Sequence, residues 1–216
     1  MELAQRVLDG PPLSEPELLR LLGPEVPLLP LLHESRIVRE RFFGNRVKVH
    51  ILNNAQNARC PEDCGYCSQS AVTDAPLRPY PWKSKDELVE EAKKAYACGA
   101  FRYCMVASGR GPADRQIDYL VDVVETIRAE VPVNICVSVG LLDEAKARRL
   151  KQAGVDRFNH NLNTSESHYP EICTTHTYAD RLQTLRAPRW VGLQACSGMN
   201  VGMGDQDEDV IAVELD

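Results

Sequence analysis

The stretch from Phe101 to Val139, FRYCMVASGRGPADRQIDYLVDVVETIRAEVPVNICVSV, contains the pattern that decides the fold. Its two ends, Phe101–Ala107 and Val133–Val139, are short apolar runs that predict strands. Between them, residues 114–130 carry apolar side chains at the three- and four-residue spacing of an amphipathic helix. Two strands joined through a helix predict a parallel pair with a right-handed crossover.

The same alternation continues on both sides of this unit. Further strands are predicted over 46–53, 156–162 and 191–197, and further helices over 84–99, 143–154 and from Tyr178 to Pro188. Repeated strand–helix units predict an α/β fold, a partial TIM-type (β/α) barrel with about five parallel strands. A complete barrel needs roughly 250 residues, so we expect this chain to be truncated at its C-terminus.

The first 44 residues have a different pattern. Ser14 and Glu17 form the pattern of a capping box, and a second helix is predicted from Leu28 to Phe43, ending at Gly44. The predicted organisation is therefore an N-terminal helical segment, 1–44, followed by an incomplete barrel core, 45–216. A last helix is predicted to begin at about Asp207.

Composition excludes several classes of function. The chain has 216 residues, 44% of them hydrophobic, and a formal net charge of -6. The acidic balance and the lack of a basic run argue against nucleic acid as a partner. No apolar run is long enough to span a bilayer, and the N-terminus lacks the apolar region of a signal peptide. Eight cysteines in such a chain indicate reduced thiols and a cytoplasmic protein without a membrane partner.

A predicted loop over 54–83 carries Cys60, Cys64 and Cys67 at a CxxxCxxC spacing. Loops of this length inside a compact domain are usually functional. Three thiolates can hold a four-iron cluster and leave one iron open, where a second ligand can bind. The alternatives are a structural zinc site or a disulfide. Structural zinc usually has four protein ligands, and no second cysteine pair stands near this one.

Side chains on successive strands indicate a second cluster of ligands. Along a strand they alternate between two faces, so the apolar set should pack under the helices and the polar set should face the barrel lumen. This parity predicts three inward amides, Asn159, Asn161 and Asn163, and three inward thiols, Cys104, Cys136 and Cys196. Three inward thiols indicate a second metal centre, although buried free cysteines have the same pattern. Cys98 and Cys173 are predicted to be incidental.

Six segments, in this order, resemble the biotin synthase family of radical S-adenosylmethionine enzymes: CPEDCGYCSQS, RYCMVAS, NICVSVG, FNHNLNTSE, TTHTYADRL and QACSGM. The resemblance runs from about residue 36 to about residue 210, and the first segment is highly specific. It implies the last step of biotin biosynthesis, in which a [4Fe–4S] cluster cleaves S-adenosylmethionine reductively. The resulting 5′-deoxyadenosyl radical abstracts hydrogen from dethiobiotin, and sulfur is inserted.

The resemblance also implies roles for individual residues. The [4Fe–4S] cluster would be held by Cys60, Cys64 and Cys67, and its open iron would chelate S-adenosylmethionine. That cofactor would contact Tyr66, the Ala107–Ser108 backbone, Asn161 and Arg181. Dethiobiotin would lie against Asn159, Asn161 and Asn163. An auxiliary [2Fe–2S] cluster, the sulfur donor, would be held by Cys104, Cys136 and Cys196.

Further expectations follow from the same resemblance. It implies an electron donor such as flavodoxin or ferredoxin, and a homodimer. The family's fourth ligand to the auxiliary cluster is an arginine on a late strand, and this chain ends before that strand. Two alternatives therefore stay open, another radical S-adenosylmethionine enzyme, or a non-catalytic fragment that binds a cluster without turnover. The three strand cysteines argue against the first, whereas the chain length favours the second.

Overall fold

The computed structural model describes residues 2–57 and 60–215. Its helices are α1 (Glu2–Asp9), α2 (Glu15–Leu22), α3 (Leu28–Phe43), α4 (Lys85–Ala97), α5 (Asp114–Glu130), α6 (Glu144–Ala153), α7 (Tyr169–Ile172), α8 (Tyr178–Trp190) and α9 (Asp207–Leu215). Its strands are β1 (His50–Gln56), β2 (Arg102–Ala107), β3 (Asn134–Ser138), β4 (Arg157–Asn159) and β5 (Gln194–Cys196). Within the described ranges, no helix combines the length and apolar character needed to cross a membrane.

Contacts divide the chain into two units. One contains the residues up to Val47 together with those from Gly204 onwards, and the other runs from Lys48 to Met203. The first unit is helical and contains α1, α2, α3 and α9. The predicted boundary after residue 44 concerns folding domains and stays a prediction.

Local sequence signals place several helix ends. Ser84 and Glu87 form a reciprocal capping box at α4, with the Ser84 N–H donating to Glu87 Oε2 at 2.8 Å and the Glu87 N–H donating to Ser84 Oγ at 3.3 Å. The Ser14 N–H donates to Glu17 at 2.8 Å at the start of α2. These bonds satisfy N–H groups that a helix start otherwise leaves unpaired. Both predicted capping boxes are confirmed.

The second unit is built on one parallel sheet with strand order β1-β2-β3-β4-β5. Its core lies between the sheet and helices α4, α5 and α6, where Tyr103, Met105, Ile135, Val137 and Phe158 meet helix side chains such as Leu88, Leu120, Ile127 and Leu150. Within the described residues the sheet does not close, so β1 and β5 are its edges. The predicted five-stranded, partial (β/α) barrel is confirmed.

Several element bounds differ from the prediction. Strand β1 runs over His50–Gln56 instead of 46–53, because its ladder with β2 begins at the pair His50 and Arg102. Helix α8 does not stop at Pro188 but ends at Trp190, since a proline in the last turn removes one hydrogen bond without preventing that turn. Strands β4 and β5 are only three residues long, and α7 was not predicted.

Phe158 lies in the middle of β4 with its side chain fully buried in the core. We expect Phe158→Ala to lower the free energy of unfolding by about 3–5 kcal/mol, because it removes a large apolar side chain and leaves a cavity. Urea denaturation measures the change. Phe42, which is 63% exposed on α3, gives the matched control, and Phe42→Ala should change stability by no more than about 0.5 kcal/mol. Equal losses for the two variants would contradict this packing.

Candidate functional site

The cysteine loop follows β1 and folds back on itself. The Cys60 N–H donates to the carbonyl of Gln69 at 2.7 Å, which closes the segment from Cys60 to Gln69. Within it, the Cys67 N–H donates to the Cys64 carbonyl at 3.1 Å and the Ser70 N–H donates to the Cys67 carbonyl at 3.1 Å. These short-range bonds make tight turns, so the motif is held as a compact loop beside the sheet.

All three thiols line one cavity of about 220 Å³ at the carboxyl ends of the strands. In parallel α/β sheets this is the edge at which ligands bind. The other residues predicted to contact S-adenosylmethionine or dethiobiotin line the same cavity: Tyr66, Ala107, Ser108, Asn159, Asn161, Asn163 and Arg181. The structure thus brings together residues from the loop, β2, β4 and α8, while their individual roles stay predictions.

Arg181 is the fixed positive charge of this cavity, with a residue exposure of only 7%. Its Nη1 donates to the Asn161 carbonyl at 2.7 Å, and its Nη2 donates to the Tyr66 hydroxyl at 3.0 Å. Its Nε donates to the Tyr169 hydroxyl. Because these partners come from separate segments, the planar guanidinium is held in one orientation. Two of the three side chains predicted to contact the cofactor, Tyr66 and Arg181, bond directly to each other.

Two further polar residues behind Arg181, His176 and Glu62, were not predicted from the sequence to belong to the site. Arg181 Nη2 is 2.8 Å from His176 Nε2, and His176 Nδ1 is 2.5 Å from Glu62 Oε2. A guanidinium can only donate, so His176 Nε2 accepts and its Nδ1–H donates to Glu62. Burial and the charge of Arg181 lower the pKa of His176, which favours this neutral form. Glu62 also pairs with Arg110 at 3.2 Å.

Cys173 also belongs to this region, contrary to the prediction that it is incidental. Its Sγ is buried 3.7 Å from Cys64 Sγ and 3.3 Å from His176 Nδ1. Asp63 holds the segment in place by accepting from the N–H groups of Thr174 at 3.0 Å and Thr175 at 3.2 Å. No local spacing could reveal this, because the two segments are more than 100 residues apart. Cys98, in contrast, is exposed after α4.

Burial has a clear electrostatic effect on the thiols of the loop. It raises the pKa of Cys60, and burial together with Cys173 raises the pKa of Cys64 to about 12. A metal binds the thiolate rather than the thiol. Loading of a metal centre in this loop must therefore release protons, and it becomes more favourable as the pH rises.

A further set of thiols lies within the strands themselves, on the face of the sheet opposite the helix-packed core. Cys104 and Cys136 are direct partners in the β2–β3 register, and Asn159 pairs with Cys196 between β4 and β5. Arg157 Nη1 lies 3.7 Å from Cys196 Sγ. The hydrogen bond between the Cys104 and Cys136 thiols lowers the pKa of Cys104 and raises that of Cys136. Strand pairing thus sets Cys104 and Cys136 side by side, with Cys196 on the same face of the sheet beyond β4.

Comparison with known proteins gives a consistent assignment. The model of the Radical SAM superfamily matches residues 57–215. Biotin synthase from Leptospira biflexa is 48% identical over 217 residues, covering 100% of this chain and 62% of that protein. Biotin synthase from Magnetococcus marinus is also 48% identical, covering 98% of this chain and 66% of that protein. The chain therefore spans slightly less than two thirds of these relatives.

Solved structures share the fold. Methylornithine synthase superposes with a TM-score of 0.87 at 22% identity, covering 98% of this chain and 62% of that chain. The FeFe-hydrogenase maturase HydG from Carboxydothermus hydrogenoformans gives 0.83 at 24% identity, covering 98% and 50%. Both likenesses extend over the N-terminal helices as well as the sheet, since they cover nearly the whole chain.

The residues of the cysteine loop fit the [4Fe–4S] cluster and S-adenosylmethionine that the superfamily implies. A single tetrahedral ion would need thiolates at about 2.3 Å from one point, hence within about 4.6 Å of one another. Among the described residues, Cys64 meets this condition with Cys173 and His176. Three thiols at the CxxxCxxC spacing can instead hold a four-iron cluster with one open iron, and the cavity that all three line contains the buried cation Arg181, which suits a ligand with a carboxylate. By motif, fold and family match, the chain belongs to the Radical SAM superfamily.

Proposed function

We propose that this chain carries the active site of a biotin synthase, which cleaves S-adenosylmethionine reductively and inserts sulfur into dethiobiotin. One observation carries the proposal: the three cysteines of the loop share a cavity with Tyr66 and Arg181 and with the amides in and directly after β4. The identity of 48% to two biotin synthases supports the choice of substrate within the superfamily.

Cys60, Cys64 and Cys67 would hold three irons of the cluster, leaving the fourth open to the amine and carboxylate of S-adenosylmethionine. When bound, the cluster supplies the electron that breaks the sulfonium bond. The buried positive charge of Arg181 would pair with that carboxylate, and Asn161, which lines the same cavity, would contact the ribose. The Ala107–Ser108 backbone, at the end of β2, would accept from the amine.

The substrate side of the cavity is lined with amides. Asn163 donates to the Tyr66 hydroxyl at 2.6 Å, and Asn159 lies 3.5 Å from Ser138 Oγ. Dethiobiotin carries a ureido group with both donors and a carbonyl acceptor, and an amide side chain can pair with both kinds of group. We infer that Asn159, Asn161 and Asn163 orient this ring so that its reacting carbons face the cofactor.

Cys104, Cys136 and Cys196 would hold the auxiliary [2Fe–2S] cluster that donates sulfur. The register of the sheet supports a shared site, since it pairs Cys104 with Cys136 and sets Cys196 on the same face of β5, two residues beyond the position level with Cys136. Four ligands are needed for such a cluster, so the three thiols leave one position to another group. An electron donor such as flavodoxin or ferredoxin, and a homodimer, complete the proposal.

An anaerobic assay with S-adenosylmethionine, dethiobiotin and a flavodoxin reducing system tests the proposal. We expect 5′-deoxyadenosine and biotin, with both products dependent on dethiobiotin. If 5′-deoxyadenosine forms but biotin does not, the chain cleaves the cofactor without acting as a biotin synthase. If neither product forms although the cluster is loaded, the chain is a non-catalytic fragment.

Replacing Cys173 shows whether this residue is itself a cluster ligand or only lies beside the ligand Cys64. We expect Cys173→Ala to retain about four irons and full cleavage of S-adenosylmethionine, because the three thiols of the motif suffice. Iron analysis and the yield of 5′-deoxyadenosine measure this. Loss of iron equal to that of Cys64→Ala, whose thiol lies 3.7 Å away, would instead make Cys173 a ligand.

A further inference from the structure

A second cavity, of about 320 Å³, lies at the opposite end of the sheet from the cysteine loop. Its walls include Arg102, at the start of β2, and Arg157, at the start of β4. The cavity that the loop cysteines line, called the loop cavity below, instead adjoins the carboxyl ends of these strands. We call the second cavity the basal cavity. Cys104 and Cys136 follow Arg102 and precede the carboxyl ends, so the strand thiols lie between the two cavities along the sheet.

The basal cavity is strongly positive. Four of its lining residues are cations: Lys48, Arg102, Lys151 and Arg157. Asp156 is the one carboxylate among the described lining residues, and it is already engaged. It pairs with Arg128 outside the cavity and accepts from the Ile135 N–H at 2.7 Å. The positive charge of the cavity is therefore not neutralised by its own walls.

Two of these cations carry buried N–H groups without an acceptor. Arg102 is only 4% exposed, and its Nη1 lies 3.3 Å from His50 Nε2. The Nε atoms of Arg102 and Arg157 are both buried and have no hydrogen-bond partner. An unpaired buried guanidinium donor is costly, and an anion in the cavity would offset the positive charge that its walls leave uncompensated.

We propose that the basal cavity is an anion-binding site and that its ligand is hydrosulfide, the anion that the neighbouring thiols can use. This inference rests on the proposed function, in which those thiols hold a sulfide-bridged cluster. Arg157 connects the two sites, since its Nη1 contacts Cys196 Sγ at 3.7 Å. Hydrosulfide entering here would lose one proton to solvent as it becomes a bridging sulfide, without any transfer of electrons.

Anaerobic chloride NMR on the full chain tests the site without requiring a cluster or turnover. Exchange of chloride with a cationic protein site broadens its resonance, and added hydrosulfide should remove that broadening by competition. We expect Arg157→Gln to weaken anion binding about tenfold or more, because it removes a charged donor. Arg148→Gln is the matched control, since Arg148 is exposed on α6 and pairs with Glu144.

A second variant guards against a folding defect in Arg157→Gln. Lys48 and Lys151 are both exposed, so Lys48→Ala/Lys151→Ala should fold normally and still weaken chloride broadening severalfold. Broadening that is equal in the wild type and in both basal variants would overturn the anion site. Displacement by phosphate but not by hydrosulfide would overturn the choice of ligand. Because the readout is binding, a chain that fails to make biotin can still support the inference, and an active chain can still refute it.

Discussion

Replacing Cys67 with alanine is expected to abolish cleavage of S-adenosylmethionine and to lower bound iron by about four per chain, the content of the cluster in the loop. Cys67 lines the loop cavity with Cys60 and Cys64, and three thiolates are the minimum that can hold the cluster while one iron stays open. With two thiolates remaining, the cluster would expose two irons to solvent and degrade. The loop itself should persist, because the bonds of the Cys67 N–H and carbonyl remain, although the Gln69 N–H loses Cys67 Sγ, 3.4 Å away.

Iron analysis and the yield of 5′-deoxyadenosine after anaerobic reconstitution measure the effect of Cys67→Ala. Cys98→Ala is the matched control, because Cys98 is exposed after α4 and takes part in neither cavity. It should bind as much iron as the wild type. A Cys67→Ala chain that kept both its iron and its product yield would refute the assignment of the loop.

Replacing Arg181 with glutamine is expected to lower kcat/KM for S-adenosylmethionine by roughly thirtyfold or more while leaving the iron content unchanged. Truncating one partner of a buried, hydrogen-bonded charged group costs about 2–5 kcal/mol. Here the loss would leave Tyr66, Tyr169 and His176 without their common donor. Arg181→Lys should also be impaired, because one ammonium cannot reproduce the planar set of donors.

Arg186 provides the control for Arg181 on the same helix, because its side chain is exposed. Arg186→Gln should retain the wild-type kcat/KM. Equilibrium binding of S-adenosylmethionine to the reconstituted variants separates a binding defect from a damaged cluster. If Arg181→Gln bound the cofactor normally and lost iron instead, Arg181 would support the cluster loop and not the cofactor.

Strand parity predicted much of the arrangement because it depends only on alternation within each strand. Tyr103, Met105, Ile135, Val137 and Phe158 all lie in the helix-packed core, so their neighbours Cys104 and Cys136 lie on the other face. Capping residues such as Ser84 likewise act within one turn of the chain. Both signals depend on residues that are close together in the chain, so they could be predicted directly from the sequence.

Contacts between distant segments could not be predicted in the same way. Glu62 and His176 are 114 residues apart, and nothing in their spacing indicates a hydrogen bond. Cys173 reaches Cys64 only because Asp63 and the backbone of Thr174 join the two loops. The offset of β1 has a similar origin, since the register with β2 and the irregularity between Asn54 and Gln56 depend on pairing, not on β1 alone.

Electron paramagnetic resonance of the reduced, reconstituted chain shows whether Cys60, Cys64 and Cys67 hold a cluster with an open iron. We expect a four-iron signal that changes when S-adenosylmethionine is added, in the wild type and in Cys173→Ala, and no such signal in Cys67→Ala. A signal that is identical with and without S-adenosylmethionine would contradict an open iron, and a signal that survives in Cys67→Ala would contradict the ligand set.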